Sequence, residues 1–221
     1  MTLLGAPDGG KSTRDQRQGP VYALLLAAGR GSRFGDDKLH ALYHGRPLLS
    51  YSLSVVRAAW DSGLIGGARA VIHSLDDRAM GMAREAAVQA VLNDAPGTGL
   101  SGSLRLGLED LEREGKAAAA LIFLGDQPQV RLDVVASLVA AWHSDCRPII
   151  RPRYAARPDV PGHPVLLSRA VWPRARQLKG DVGFSALRDT DADDSLLVDV
   201  EGDNPDIDTP ADLQRLQRAF P

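Results

Sequence analysis

The chain has 221 residues, a length that suits one domain with a substantial core, and carries 26 Lys and Arg against 28 Asp and Glu. The resulting net charge of −2 gives no whole-surface field for nucleic acid or an anionic membrane, so any anion site must be local. One cysteine, Cys146, excludes an intramolecular disulfide and a cysteine-based zinc site; no apolar run reaches membrane length and no signal core opens the chain, which predicts a cytoplasmic protein.

Residues 1–20 are rich in Gly, Asp, Arg, Gln and Ser and have little to bury, so they are expected to form a disordered or loosely attached tail ahead of a domain over 21–221. Val21 to Leu26 reads as a strand buried on both faces. After a glycine-rich loop, Leu39 to Leu42 and Pro47 to Leu49 flank a turn at Gly45, and Leu48 to Trp60 has helical spacing. Further strands are expected over 68–73, 90–92, 117–124, 148–151, 165–167 and 195–198. Further helices are expected over 77–89, 101–114, 132–143 and 169–178. The segment 154–164 holds too many Pro, Gly and Arg residues for a regular element and reads as a loop over a site. A last helix runs from Pro210 to Phe220, with Thr209 as N-cap and Pro210 at its first position. Strands alternating with helices predict a three-layer α/β/α sandwich around a mostly parallel, Rossmann-like sheet. Ligands in such folds collect beyond the carboxyl ends of the strands.

The chain is organised around Val21 to Lys38, where the first strand breaks into a basic glycine loop. Gly29, Gly31 and Gly35 let the backbone turn tightly and approach a ligand, while Arg30, Arg33 and Lys38 surround it with cations, which suits a polyphosphate. Two other phosphate loops are excluded. Phe34 occupies the place where a dinucleotide fingerprint needs its third glycine, and no acidic residue follows near Leu53. Gly5 to Ser12 (GAPDGGKS) spells a Walker A pattern, but only four residues precede it and TRDQRQGP after it has no apolar helix face.

Asp126 follows the most apolar stretch of the chain, at the end of a buried strand where an unpaired charge is costly. Asp208 offers a second carboxylate at the start of another helix. Two acids and a basic glycine loop suit Mg²⁺, which binds through few carboxylates and leaves its other places to phosphate oxygens and water. Lys38 and Arg33 are placed to neutralise charge on a phosphoryl group and its leaving group. His40 and His44 are four residues apart, but Gly45 and Pro47 argue against a shared helix face and no acidic zinc partner follows. His163, within Pro161-Gly162-His163-Pro164, sits in a rigid turn able to present an imidazole to substrate. Each of these residues alone has a bland structural explanation.

Together the segments resemble the nucleotidyltransferases of the molybdenum-cofactor family (MobA-like NTP transferases) from about Val21 onward. Leu26 to Gly35 with Lys38 resembles the opening signature of that family. Gly125-Asp126-Gln127-Pro128, Pro161 to Pro164, Gly180-Asp181-Val182-Gly183 and Asp206-Ile207-Asp208-Thr209-Pro210 resemble its later motifs, in the same order. The resemblance implies attack of a cofactor's terminal phosphate on the α-phosphorus of a nucleoside triphosphate, with loss of pyrophosphate. It implies that the loop Ala28, Gly29, Arg30, Gly31, Ser32, Arg33 and Gly35, with Lys38, holds the triphosphate. Asp126 would bind Mg²⁺ with help from Asp208, and Ala27, Ala28 and the Ser101 region would contact the nucleotide. Asn93, His163 and Asp181 lie where the family receives nucleotide or pterin substrate. Leu26 to Gly29 together with Thr98 to Ser101 is similar to the cytidylyl-transferring branch, which implies CTP, a molybdopterin-type acceptor and a molybdoenzyme apoprotein as partner. The chain departs from the family at Gly183-Phe184-Ser185, where Ala-Arg more often follows the glycine.

Two other readings stay open on the residues. One is a nucleotidyltransferase for another phosphorylated acceptor, such as a sugar phosphate, methylerythritol phosphate or phospholactate; those relatives commonly place proline before the loop lysine, where Asp37 stands here. The other is a non-catalytic nucleotide-binding or chaperone module, against which the two intact acids argue.

Overall fold

The computed structural model describes residues 19–29, 34, 38–145, 147–178, 180 and 194–219. The tail with its Walker-like segment lies outside the described residues apart from Gly19 and Pro20, and Cys146 lies outside them too. In chain order the elements are β1 (Val21–Ala27), β2 (Leu42–Tyr43), β3 (Arg46–Pro47), α1 (Leu48–Asp61), β4 (Gly67–His73), α2 (Asp77–Glu85) and β5 (Gln89–Asn93). There follow α3 (Gly99–Glu114), β6 (Ala119–Leu124), α4 (Leu132–Ser144), β7 (Ile149–Tyr154), β8 (Val165–Ser168), α5 (Trp172–Ala175), β9 (Ser195–Val200) and α6 (Pro210–Ala219).

Every residue of β1 is buried, because β4 and β6 pair with it in parallel on either side and helices cover both faces. Side chains alternate across a strand. Val21, Ala23, Leu25 and Ala27 therefore join the core under α1, α2 and α4, where Leu53, Val56, Ala83, Leu138 and Trp142 pack. Tyr22, Leu24 and Leu26 join the opposite core under α3 and α5, with Leu104, Leu108, Leu111 and Trp172. The seven main strands run in the order β5-β4-β1-β6-β8-β7-β9, and only β8 is antiparallel to its neighbours. The fold is thus the expected three-layer sandwich, with β2 and β3 as a separate hairpin.

Three elements differ from expectation. The helix after β4 stops at Glu85, since Ala87 turns at a positive φ of 57° and Val88 is buried on the way into edge strand β5. The helix expected over 169–178 is a 3-10 turn followed by the short α5, with Pro173 in its first turn, where a missing N–H costs nothing. Strand β7 continues through Pro152 to Tyr154, because beyond Ile150 its only strand partner is β9, and Gly162, which donates to Pro152 O at 2.8 Å, asks no donor of the proline. No helix among the described residues is long and apolar enough to cross a membrane.

Candidate active site

A cleft of about 600 Å³ opens beyond the carboxyl ends of β1 and β6. Ala27, Ala28 and Gly29 line it at the end of β1, Pro96, Gly97 and Gly99 line it at the start of α3, and Lys38, Asp126, Asp206 and Asp208 bring the charge. Lys38 Nζ donates to Asp126 Oδ2 at 2.6 Å and to Asp208 Oδ1 at 2.9 Å. Burial of the ammonium works against its charge, but Asp126 and Asp208 together more than offset this and hold the Lys38 pKa above the ordinary lysine value.

Local chemistry fixes each acid. The amide of Gly125 donates to Leu26 O at 3.0 Å, carrying the β1–β6 ladder one step past the strand. A Cβ on Gly125 would lie 3.2 Å from Leu39 and 3.3 Å from Leu49, so the approach of α1 to this corner is close. Ser52 on α1 donates to Leu124 O at 3.0 Å and Gln127 O at 3.4 Å, bracketing Asp126. From the other side the amide of Ile207 donates to Asp126 O at 3.2 Å. Ile207 is buried with Tyr43, Leu48 and Leu216, so the small core under the hairpin and α6 anchors the second acidic segment. Thr209 caps α6 as expected, reciprocally with Asp212: the Asp212 amide donates to Thr209 Oγ1 at 3.2 Å and the Thr209 amide to Asp212 Oδ2 at 2.7 Å.

Asp206 is a third carboxylate of the cleft, and the sequence reading passed over it. Gln127 Nε2 donates to its Oδ1 at 2.7 Å. Although its surface meets solvent at the cleft mouth, the surrounding protein, and then the charges of Asp126 and Asp208, push its pKa above the usual carboxylate range. Behind it runs a buried polar chain: Asn204 Nδ2 donates to Gln127 Oε1 at 3.2 Å and to His163 O at 3.3 Å, and the Tyr154 hydroxyl donates to His163 O at 2.7 Å. The alternation Asp206-Ile207-Asp208, with one buried residue between two acids, was the available signal.

The other expected residues fall as follows. Ala27 and Ala28 are buried in the cleft floor beside Gly29. Asn93 is buried at the end of β5, donating to Ser103 Oγ at 3.1 Å and accepting the Ala95 amide at 2.9 Å. Ser101 is buried in the first turn of α3, and its amide donates to Gly180 O at 3.3 Å; Ser103, one position beyond Gly102, is the serine that lines the cleft. His163 Nε2 is enclosed, and that enclosure, with the Arg151 charge beside it, lowers its pKa to about 3. That shift favours the neutral imidazole over the protonated one. His40 and His44 point to different surroundings, His40 to Asp76 and His44 to an exposed turn at a φ of 46°. Arg30, Gly31, Ser32, Arg33, Gly35 and Asp181 lie outside the described residues.

The donor set fits a hard divalent cation. Asp126 and Asp208 converge on a single point, now held by one ammonium, and no group of three or more His, Cys, Asp or Glu side chains forms a metal cage among the described residues. An ion here would need oxygens from substrate and water, as Mg²⁺ prefers.

Residues 23–195 match the profile of the MobA-like NTP transferase domain. The chain belongs to this family of nucleotidyltransferases. It is 32% identical over 224 residues to the bifunctional enzyme IspD/IspF of Rhodospirillum rubrum, covering 90% of this chain and 57% of that protein. The chain therefore spans little more than half the length of that relative. It is 30% identical over 202 residues to the phosphoenolpyruvate guanylyltransferase of Sphaerobacter thermophilus, covering 89% of each. Among solved structures it is similar to Rv0371c of Mycobacterium tuberculosis H37Rv in complex with manganese, at 26% identity and a TM-score of 0.71, covering 91% of this chain and 100% of that one.

Proposed function

We propose that this chain transfers CMP from CTP to the terminal phosphate of a molybdopterin-type cofactor and releases pyrophosphate. The observation that carries the reading is the convergence of Lys38, Asp126 and Asp208 beside the floor formed by Ala27, Ala28 and Gly29. A phosphate oxygen of the acceptor attacks the α-phosphorus, the bond to the β-phosphate bridging oxygen breaks, and pyrophosphate leaves with the electron pair. The Lys38 ammonium would offset charge gathering on that leaving group. Asp126 and Asp208 would hold Mg²⁺, which when bound supplies Lewis-acid charge at the triphosphate oxygens. The loop from Ala28 to Gly35, with Arg33, would cradle the triphosphate, and Asn93, Ser101 and Ser103 would stand at the nucleoside end. His163 and Asp181 would lie on the acceptor side, and a molybdoenzyme apoprotein would receive the product. The Leu26 to Gly29 sequence supports CTP.

One observation favours a second reading: a relative matched over 89% of its own length is a phosphoenolpyruvate guanylyltransferase. A small phosphorylated acid with GTP is therefore the competing pair. The deciding experiment measures pyrophosphate release from each of the four triphosphates with Mg²⁺, against molybdopterin, phosphoenolpyruvate, phospholactate, methylerythritol phosphate and a sugar phosphate. Turnover with CTP and molybdopterin is expected. Turnover confined to GTP and phosphoenolpyruvate replaces the first reading with the second, and no turnover with any pair removes both.

A further inference from the structure

We infer that His40 and Asp76 form a pin that positions Lys38 against Asp126 and Asp208. The inference rests on Lys38 being the cation of the active site and adds two residues that touch neither acid. Lys38 to His40 is a single 3-10 turn, closed by the Ala41 amide donating to Lys38 O at 3.2 Å. Such a turn is weak by itself. A lysine also ends in a flexible four-carbon stem, so its ammonium is only as well placed as the backbone that carries it.

The other end of the turn supplies the fixing. The His40 side chain is 6% exposed, and Nε2 lies 2.9 Å and 3.0 Å from the two carboxylate oxygens of Asp76. Asp76 is itself immobilised. Its Oδ1 accepts the Ala79 amide at 2.9 Å as the N-cap of α2, and its own amide donates to His73 O at 2.9 Å at the end of β4. The turn bearing Lys38 thus hangs from the corner between β4 and α2. A purely space-filling role explains the ring poorly. His40 Nδ1 is buried with no hydrogen-bond partner among the described residues, a defect that leucine in the same space would avoid. What histidine supplies in return is the Nε2–H that reaches Asp76.

The test reads Lys38 directly and needs no substrate. The full chain is treated with trace acetic anhydride, and acetylation of Lys38 is measured by peptide mass spectrometry against Lys116, whose side chain is 68% exposed. His40→Leu should raise the Lys38 to Lys116 labelling ratio severalfold, because a loosened turn lets the ammonium leave its carboxylates. His40→Gln, whose amide nitrogen can also donate to Asp76, should stay near the parent. Should His40→Leu fail to fold, Asp76→Ser keeps a helix cap while its shorter side chain withdraws the acceptor from His40 Nε2. Unchanged Lys38 labelling in the folded variant overturns the pin, whatever the enzyme's substrates prove to be. A second arm uses turnover with the best triphosphate and acceptor. His40→Leu should lower kcat about tenfold in the parent and add nothing in a Lys38→Ala background, since residues acting through one group are not additive. An equal further loss in the Lys38→Ala background also overturns it.

Discussion

Lys38 Nζ lies 2.6 Å from Oδ2 of Asp126, 88 residues further along the chain, and the same ammonium reaches Asp208, 170 residues away. Three distant segments therefore share one electrostatic centre, and the carboxylate of Asp126 is its least exposed acid, at 23% against 52% for Asp208. Asp126→Asn keeps the shape and removes the charge. Turnover should fall by orders of magnitude and Mn²⁺ binding, followed by electron paramagnetic resonance, should weaken, while the melting temperature changes little. Near-normal turnover at saturating Mg²⁺ would exclude Asp126 as the metal ligand.

Much of this centre was legible before the fold. The unbroken apolar run from Val21 admits only a central strand, and Asp126 at the end of the next apolar run had to find a partner. Lys38 was readable as a cation beside the glycine loop, but its seat between two carboxylates was not, because that contact depends on Ile207 binding the backbone of Asp126 and on the small core beneath α6. Local pattern carries no such information. At His163 the Pro-Gly turn was readable, whereas the bonds that Tyr154 and Asn204 make to its backbone carbonyl were not. Helix register explains the serines. Ser101 and Ser103 are both buried at the start of α3, and only the packing against Asn93 shows that Ser103 lines the cleft.

Asp206 predicts a cost in stability at neutral pH. Its raised pKa means that the folded protein binds its proton more tightly than the unfolded chain does. That contribution to stability is lost as pH rises from the ordinary aspartate value of about 4, leaving a penalty at neutral pH. Asp206→Asn, which still accepts from Gln127, should raise Tm at pH 7 by at most about 2–4 °C, the shift given by ~1 kcal/mol in a domain of this size after solvent screening. Salt should shrink the gain. Differential scanning calorimetry at pH 7 and at pH 3 checks the sign; an equal gain at both would show that charge is not the cause.

His163 predicts the opposite slope. Its pKa is held down to about 3 in the fold, against about 6.5 in an unfolded chain, so between these values the unfolded state binds more protons. Its contribution is fully present above pH 6.5 and is lost as pH falls toward 3. His163→Gln leaves the backbone carbonyl that Tyr154 and Asn204 bind. The variant should therefore lose less Tm than the parent between pH 6.5 and pH 4, and parallel curves would show that the ring is not buried as a neutral group.

Two glycines on helices should respond to alanine with opposite signs. A Cβ on Gly107 of α3 would lie 2.4 Å from Leu24 Cδ1, 2.7 Å from Cδ2 and 3.0 Å from Cγ, and Leu24 is fully buried in β1. Alanine gains about 1 kcal/mol of helix propensity over glycine, but overpacking a closed core costs ~1–3 kcal/mol. Here three atoms of one fully buried side chain are in the way, so the clash outweighs the propensity. Gly107→Ala should lower Tm. By pushing α3 off β1 it should also loosen the Ser103 contact with Asn93 and raise KM for the triphosphate. Gly81 of α2 has nothing within 4 Å of the same added atom. Gly81→Ala should therefore stabilise the protein by about 0.4–1 kcal/mol with kinetics unchanged. A rise in Tm for Gly107→Ala would mean that α3 does not press against Leu24 as closely as these distances require.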